Sequence, residues 1–422
     1  MSAHLIPVIS AICCLVPQAS QAAPGPSPTQ SVQSLPDWRQ YMESMAPIGE
    51  RVLPQTLHPD DSQSRQETWR ILMGTLAQGF VAHVYADPDY PEFISLFNTA
   101  LNLAAPNPDY MYTWTPLRDA GIYRIKGFRN TVHFAEFTLG QGFYALGTQG
   151  PPLGTLDLDS LKKGVDGSFE VILSATRPQG YMGDWWKMPK GTESVVLRQA
   201  SYDWIHERDA DISIERVDAP ARRPRLSAAD LSSRLADLST WVEKGSLPWY
   251  GRLRDLQQKG LENRLAVHDY LPSGGAIGQI YLEGWYNIRD DEALIVETEV
   301  PKRCRYWSFL VTDDQFATVD WMNTQSSLNG YQAKLDTDGK FRGVIAIKDP
   351  GVANWLDTGG YHVGAIQVRW NQCDSAPQPT VRKVLFSELR NYLPKDTPVV
   401  TPEQRESSLR ERRMGAQFRR RW

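Results

Sequence analysis

The residues between Asn354 and Arg369 combine side-chain types that a small active site requires. The stretch reads NWLDTGGYHVGAIQVR and contains Asn354, Trp355, Asp357, His362 and Arg369. A histidine can act as general acid or base near neutral pH, an arginine can bind a carboxylate through two parallel hydrogen bonds, and an indole can stack on a ring. We therefore predict Asp357, His362 and Arg369 as catalytic residues, and Asn354 and Trp355 as ligand-binding residues.

The same stretch also has a purely structural interpretation. Asp357-Thr358-Gly359-Gly360 has the composition of a turn, because an aspartate can bond the backbone two residues on and glycine accepts a positive φ. Arg369 would then pair with Asp357 as an internal clamp, since a buried charge is usually paired. The residues alone leave both interpretations open.

A second group of polar side chains precedes a predicted strand. Asn107, Asp109 and Tyr112 lie on a loop with Pro108, and loops held by a β-scaffold often bind ligands. The alternative is a structural turn in which Asp109 caps backbone groups. Trp307 is one of 14 tryptophans, several of them near predicted loop ends, where rings suit aromatic, steroid-like or carbohydrate ligands. We predict that these four residues bind a small-molecule ligand, with an aromatic core as the alternative for Trp307.

Motifs for metals and cofactors are missing from the sequence. The histidines show no HExxH spacing, and no glycine-rich phosphate loop or G-x-S-x-G elbow occurs. Asp313-Asp314 could serve as an acid and a base, or hold calcium, although the spacing of an EF-hand is lacking. We therefore predict no metal and no cofactor.

Length and charge narrow the class of protein. A chain of 422 residues with 41% hydrophobic residues can form domains of about 100–200 residues each. The net charge of −4, from 45 basic and 49 acidic residues, provides no broad positive surface, so nucleic acid is not an expected partner. The exception is an arginine-rich tail at 396–422, which we interpret as a solvated helix end, or else as a contact for an anionic surface.

The N-terminus has the features of an export signal. An apolar run from Leu5 to Val16 precedes Ser20-Gln21-Ala22, which predicts a signal peptide over 1–22 and cleavage before Ala23. No later segment has 18 uninterrupted apolar residues, so we expect no integral membrane segment and a periplasmic or secreted protein.

Two cysteines remain after that cleavage, Cys304 and Cys373. Export would place them in an oxidising compartment, where disulfides persist. Cys304 just precedes one strand-like run and Cys373 just follows another, so antiparallel neighbours would bring the two together. We favour a disulfide, with two inert thiols as the alternative.

The pattern along the chain indicates a mixed, mainly β fold with antiparallel β-sandwich modules and peripheral α-helices. We expect a disordered linker at 23–34, a helical segment at 35–106, a β-rich module at 107–225, a helical connector at 226–270 and a β-sandwich domain at 271–395. We found no repeat with a fixed period. Whether the two β blocks form one sandwich or two is left open.

The block from Tyr281 to Trp370 contains GWYNI, CRYWSFLVTDDQFATVDW, NTQSSLNGYQ, KDPGVANWLDTGG and a terminal VRW. On these pieces it resembles the bacterial family called domain of unknown function 1214, and NPDYMYTWTPLRDAGIYRIKG upstream resembles the family's N-terminal β module more loosely. The resemblance implies a β-sandwich with peripheral helices and supplies no established catalytic residues. The chain departs from the family where a Gly-His pair commonly follows WLDT, because Gly360 is followed here by Tyr361, and the histidine is His362.

We predict an exported enzyme and keep a binding protein as the alternative. The first is a cofactor-independent hydrolase or lyase of an apolar or aromatic small molecule, with Asp357, His362 and Arg369 converging in a cleft, joined by Asp109 or Tyr112. The second is a non-catalytic binding protein for an aromatic, steroid-like or carbohydrate ligand. Catalysis requires a histidine or carboxylate within hydrogen-bond reach of the ligand, whereas binding requires only the rings.

Overall fold

A computed structural model of the protein describes residues 35–419, apart from the side chain of Tyr144. Its strands form four sheets that pack in pairs into two β-sandwiches, with helices around them. The mainly β fold class predicted from the sequence is confirmed. The predicted signal peptide and linker lie outside the described residues. Within 35–419, no helix is long and apolar enough to cross a membrane.

The first sandwich has nine strands and starts inside the segment predicted to be helical. They are β1 (Ile94–Phe97), β2 (Tyr110–Pro116), β3 (Tyr123–Phe128), β4 (Phe134–Gly140), β5 (Gly154–Asp157), β6 (Ser168–Ser174), β7 (Asp184–Lys187), β8 (Ser194–Ala200) and β9 (Asp211–Arg216). One sheet has the order β1-β2-β8-β4-β5 and the other β7-β6-β3-β9. Apolar side chains that alternate along the strands, such as Ile125, Phe137 and Leu173, fill the space between the sheets.

The second sandwich also has nine strands. They are β10 (Ala266–His268), β11 (Gln279–Asn287), β12 (Glu292–Thr298), β13 (Cys304–Val311), β14 (Ser327–Asn329), β15 (Phe341–Ala346), β16 (Trp355–Asp357), β17 (Val363–Cys373) and β18 (Thr380–Leu385). Its sheets have the orders β10-β11-β17-β13-β14 and β16-β15-β12-β18. Leu294, Phe309 and Ile366 are fully buried between them.

The predicted disulfide is confirmed. Cys304 at the start of β13 lies opposite Cys373 at the end of β17 in the antiparallel register, and the two are bonded. The bond joins residues 69 positions apart, and a closed loop of that length is worth about 4 kcal/mol in the chain-entropy account.

The two sandwiches share one topology. In each, the second strand pairs with the eighth, the eighth with the fourth and the third with the sixth and ninth, while the sixth and seventh pair in parallel. Trp114 on β2 and Trp285 on β11 take equivalent places, and each is followed by Arg-Asp at the fourth and fifth positions. The fold is therefore duplicated, although no fixed period is visible in the sequence. Paired strands require that apolar side chains alternate between the two faces of a sheet, but they do not require particular residues. The repeat therefore leaves little trace in the sequence.

The helices are α1 (Trp38–Met45), α2 (Pro47–Val52), α3 (Ser62–Gly79), α4 (Ala228–Tyr250), α5 (Arg252–Gln258) and α6 (Pro402–Arg419). Asp61 caps α3 by accepting a 2.8 Å hydrogen bond from the Ser64 amide. Helices α3 and α4 then pack on the first sandwich through a core that includes Ile71, Trp241 and Trp114.

Helix α6, within the arginine-rich tail, packs on the sandwiches along one face, so its interpretation as a solvated helix end holds only for its other residues, most of which are exposed. Arg405, Arg412 and Arg419 recur every seven residues and therefore share a face of α6. Arg405 donates to Gln325 Oε1 of the second sandwich at 2.6 Å, whereas Arg419 donates to Asp209 Oδ1 of the first sandwich at 3.2 Å. Helix α6 thus bridges both sandwiches.

Candidate functional site

A cavity of about 170 Å³ lies between the two sandwiches. Strands β1, β2, β4 and β8 of the first sandwich and β11 and β17 of the second form its walls, together with α4 and loops from both sandwiches. Aromatic rings dominate the lining: Phe97, Tyr110, Tyr112, Trp114, Phe143, Trp249, Tyr270 and Tyr281. Such a lining suits a ligand with a largely apolar body.

Two guanidinium groups are the only charges among the described residues that line this cavity, namely Arg198 on β8 and Arg369 on β17. Arg369 is only 4% exposed. Its Nη2 donates to the carbonyl of Ala105 at 2.8 Å, whereas its buried Nη1 has no partner within residues 35–419. Its guanidinium carbon lies 5.7 Å from the ring centroid of Tyr281. A buried cation without a counter-ion is costly, so this arrangement is unusual.

Glu283 is the carboxylate nearest to Arg369 along the neighbouring strand, but its partners lie elsewhere. Tyr281 is opposite Arg369 in the β11–β17 register, and Glu283 is opposite Gln367. The Glu283 carboxylate accepts hydrogen bonds from Arg252 Nε at 3.0 Å, from the Tyr270 hydroxyl at 2.6 Å and from the Gln367 amide. Arg252 therefore balances the charge of Glu283, and no carboxylate among residues 35–419 forms an ion pair with Arg369.

Arg198 ties the two sandwiches together at the other side of the cavity. Its Nη1 donates to Thr138 Oγ1 on β4 at 2.9 Å, and its Nη2 donates at 2.9 Å to the carbonyl of Gly274, in the loop before β11. Glu136 lies opposite Arg198 in the β4–β8 register. Burial raises the pKa of Glu136, while the charges of Arg198 and Arg305 oppose that rise. The ion pairs formed by residues 35–419 do not include one between Glu136 and Arg198.

Tyr110 and Tyr112 of the cavity remain protonated near neutral pH. Burial raises the pKa of both Tyr110 and Tyr112, because a phenolate would lose its hydration. The Tyr110 hydroxyl donates to Gln279 Oε1 at 3.1 Å, and the Tyr112 hydroxyl accepts from the backbone N–H of Asn107 at 3.2 Å. These neutral groups do not balance the charge of Arg369, whereas Arg198 has Glu136 as an electrostatic partner.

Part of the second sandwich matches a known family. Residues 289–367 match the family described as "Protein of unknown function (DUF1214)". They form a DUF1214 segment. This confirms the resemblance seen in the sequence. The segment runs from the turn after β11 into β17, so it contains Gln367 and ends just before Arg369.

Solved structures extend the similarity beyond the DUF1214 segment. An uncharacterised protein from Burkholderia cenocepacia is 29% identical, with a TM-score of 0.77, over 82% of this chain and 97% of that chain. The VPA0106 protein from Vibrio parahaemolyticus is 11% identical, with a TM-score of 0.44, over 80% of this chain and 99% of that one. The second similarity is too low to support any argument. No curated protein matches the chain.

The three residues predicted to be catalytic do not meet. His362 is exposed, with Nε2 3.0 Å from Asp290 Oδ1, and lines a separate surface pocket. Asp357 accepts a 2.8 Å hydrogen bond from the Gly359 amide, as its interpretation as a turn residue requires, and burial raises the pKa of Asp357 to about 6. Only Arg369 lines the cavity between the sandwiches.

The geometry of β17 explains why the predicted convergence was wrong. His362 immediately precedes this extended strand and Arg369 lies seven residues further on, so the strand separates them by roughly 23 Å at about 3.3 Å per residue. The expected clamp between Arg369 and Asp357 was wrong as well, because Arg369 donates to Ala105 instead.

Three further predicted residues of the DUF1214 segment make internal contacts. Asn354 donates to the carbonyls of Lys334 and Arg342 at 2.6 and 3.1 Å. Trp355 is buried, and its Nε1 donates to the Ala346 carbonyl at 2.9 Å. Trp307 belongs to the core between the sheets of the second sandwich, as its alternative interpretation had it. None of the three lines the cavity between the sandwiches.

The three predicted residues at the start of β2 and in the loop before it have different roles. Tyr112 lines the cavity together with Arg369. Asp109 is fully buried and accepts hydrogen bonds from the Tyr306 hydroxyl at 2.6 Å and from Trp204 Nε1 at 2.8 Å. Asn107 donates to the same Tyr306 hydroxyl at 2.7 Å and lines a smaller neighbouring pocket. Asp109 therefore belongs to the junction of the sandwiches, and Tyr112 to the cavity wall.

Sequence reasoning missed Arg198, Tyr270, Tyr281 and Gln367. A signal was present for the first: Arg198 interrupts the apolar run SVVLRQA of β8, as Arg369 interrupts GAIQVRW of β17. A lone arginine within a strand of otherwise buried residues requires a special environment. The tyrosines carry no comparable signal.

Proposed function

We propose that this protein is an exported binding protein that holds a small molecule with an apolar or aromatic body in the cavity between its two sandwiches. The observation that carries the proposal is the ring-lined cavity itself, to which both sandwiches contribute. Among the described residues that line it there is no histidine, aspartate, glutamate or cysteine. The hydroxyls of Ser194 and Ser273 thus have no histidine or carboxylate among the described lining residues to act as a general base. This composition favours binding over hydrolysis or elimination.

The volume of the cavity limits the body of the ligand. A cavity of about 150 Å³ with apolar walls can hold a benzene ring, and this one measures about 170 Å³. We expect one ring to occupy the enclosed part, with any longer portion extending toward the partly open side.

Export is supported by the chemistry of the cysteines. The Cys304–Cys373 bond is of the kind that persists in oxidising compartments, such as the periplasm or the extracellular space. The apolar run from Leu5 to Val16 supports the same location.

A pair of matched substitutions tests the proposal. Val196 lines the cavity, so Val196→Trp should fill it, whereas Val267 is 67% exposed and absent from the lining, so Val267→Trp serves as the control. We would screen one- and two-ring aromatic fragments by ligand-observed NMR against both variants and the natural protein, after checking that all three unfold at similar temperatures. Fragments should bind the natural protein and Val267→Trp and be lost from Val196→Trp. Undiminished binding to Val196→Trp, or no binding to the natural protein, would refute the proposal.

A further inference from the structure

The charge balance of the cavity indicates the chemistry of its occupant. We infer that the ligand held between the sandwiches carries a carboxylate, and that Arg369 binds this group. The inference rests on the proposed function and narrows it from any ring-bearing small molecule to a monocarboxylate.

Arg369 has a buried donor that no described group of the protein uses. The side chain is 4% exposed, and its Nη1 is buried without a hydrogen-bond partner among the described residues. An unsatisfied buried donor costs about 1–3 kcal/mol, and more when it is charged. A carboxylate oxygen at Nη1 would remove that cost and neutralise the charge together.

The charged side chains among the described lining residues are all positive. Arg198 and Arg369 line the cavity, and no acidic side chain is found among its described lining residues. Glu283 is held by Arg252, and burial keeps Tyr112 neutral by raising its pKa. Walls of aromatic rings lower the local dielectric constant, which strengthens the attraction for an anion.

The number of free donors in the cavity favours a carboxylate over a phosphate. Phosphate sites in proteins commonly present several backbone N–H groups or a helix N-terminus. Here both terminal nitrogens of Arg198 already donate, to Thr138 and Gly274. Among the described residues of the lining this leaves Nη1 of Arg369 as the unpartnered charged donor, since the unpartnered Trp114 Nε1 and Thr113 Oγ1 are neutral. One planar guanidinium matches one planar carboxylate, and the pair is among the stronger contacts available to a protein.

Two probes with the same skeleton test the inference by isothermal titration calorimetry at pH 7: 3-phenylpropionate and its neutral amide, 3-phenylpropionamide. The natural protein should bind the acid at least about tenfold more tightly than the amide, as expected for a charge-assisted hydrogen bond of roughly 1.5–3 kcal/mol. In Arg369→Gln the affinity for the acid should fall to that for the amide, and the affinity for the amide should change less than about twofold, because the apolar contacts remain.

Two further variants keep the test informative. Arg382 is exposed on β18, so Arg382→Gln is a matched loss of charge and should preserve the preference for the acid. If Arg369→Gln does not fold, Arg369→Lys retains the charge but loses the planar fork, and should weaken acid binding without affecting the amide.

The possible results distinguish a failure of the carboxylate assignment from a failure of the proposed binding function. If neither probe binds the natural protein, the proposed function fails and the inference with it. If both bind equally, the cavity holds rings without requiring an anion, so the inference is overturned while the function stands. If Arg369→Gln keeps the preference for the acid, the carboxylate lies elsewhere and the assignment to Arg369 is wrong.

Discussion

Tyr306 of the second sandwich donates a 2.6 Å hydrogen bond to Asp109, a fully buried carboxylate of the first. Trp204 and Asn329 donate to the other oxygen of Asp109 at 2.8 and 2.7 Å. Burial raises the pKa of Asp109, and these three donors oppose that rise. The sandwiches are thus joined through a shared polar cluster, which helps fix the position of the cavity walls.

Removing the Tyr306 hydroxyl should therefore weaken the junction. In Tyr306→Phe the ring stays, with its centroid 5.3 Å from that of Tyr202, but the buried carboxylate loses one donor, which costs about 1–3 kcal/mol. Urea unfolding should show a lower midpoint. Tyr392→Phe, at a residue 45% exposed, is the control and should stay within about 0.5 kcal/mol. Equal effects of the two changes would contradict a special role for the cluster.

The stability of the protein should depend on pH through Asp313. This side chain is only 2% exposed, and burial raises its pKa to about 7, with Asp314 adding to the rise and Arg70 opposing it. An unfolded aspartate titrates near pKa ~3.9, so the native state keeps a proton that the unfolded chain releases between about pH 4 and 7. The contribution of Asp313 is present at acidic pH and is lost as the pH rises through the native pKa.

The free energy of unfolding should fall by up to about 4 kcal/mol as Asp313 loses its proton, at about 1.36 kcal/mol for each pKa unit. Asp313→Asn should remove it, so the difference in unfolding free energy between this variant and the natural protein should grow from pH 5 to pH 8 in favour of the variant. Asp291→Asn, whose side chain is 65% exposed, is the matched control. Parallel pH profiles for the natural protein and Asp313→Asn would contradict the prediction.

The packing of α6 can be tested with two glycines. A Cβ on Gly415 would lie 2.8 Å from Trp204 Cβ and 3.2 Å from the Trp204 carbonyl carbon, whereas a Cβ on Gly74 in α3 would approach nothing closer than 3.6 Å. Alanine in place of a helical glycine normally stabilises by about 0.5–1 kcal/mol. We expect that gain for Gly74→Ala and a loss of about 1–3 kcal/mol for Gly415→Ala, because overpacking outweighs it. Thermal unfolding would measure both, and a similar gain in each would show that α6 is not packed as described.

The sequence could predict contacts that follow from the pattern of individual strands, but not contacts between residues far apart along the chain. The Cys304–Cys373 bond followed from two strand-like runs, because antiparallel pairing brings the flanks of neighbouring strands together. The partners of Arg369 could not be found in this way. Arg369 meets Ala105, which is 264 positions away, and no pattern within one strand shows which distant backbone will face it.

The tail and the duplication show two other limits. The seven-residue spacing of Arg405, Arg412 and Arg419 was visible, but composition alone made these residues look solvated, since arginine is rarely buried unless it is paired. The equivalence of Trp114 and Trp285 was visible only as a short Trp-x-x-x-Arg-Asp pattern. Only the equivalent strand pairings around the two tryptophans show that this pattern belongs to a duplicated fold.

The duplicated fold gives the cavity a polarity. A molecule bound between two identical sheets could take two equivalent orientations, with its charged end toward either sheet. By the register of the pairings, Arg198 of the first sandwich corresponds to Gln367 of the second, and Arg369 of the second corresponds to Ala200 of the first. The two copies therefore differ where they line the cavity. If Arg369 binds a carboxylate as we infer, a ligand with one charged end would bind in a single orientation, with that end toward the second sandwich.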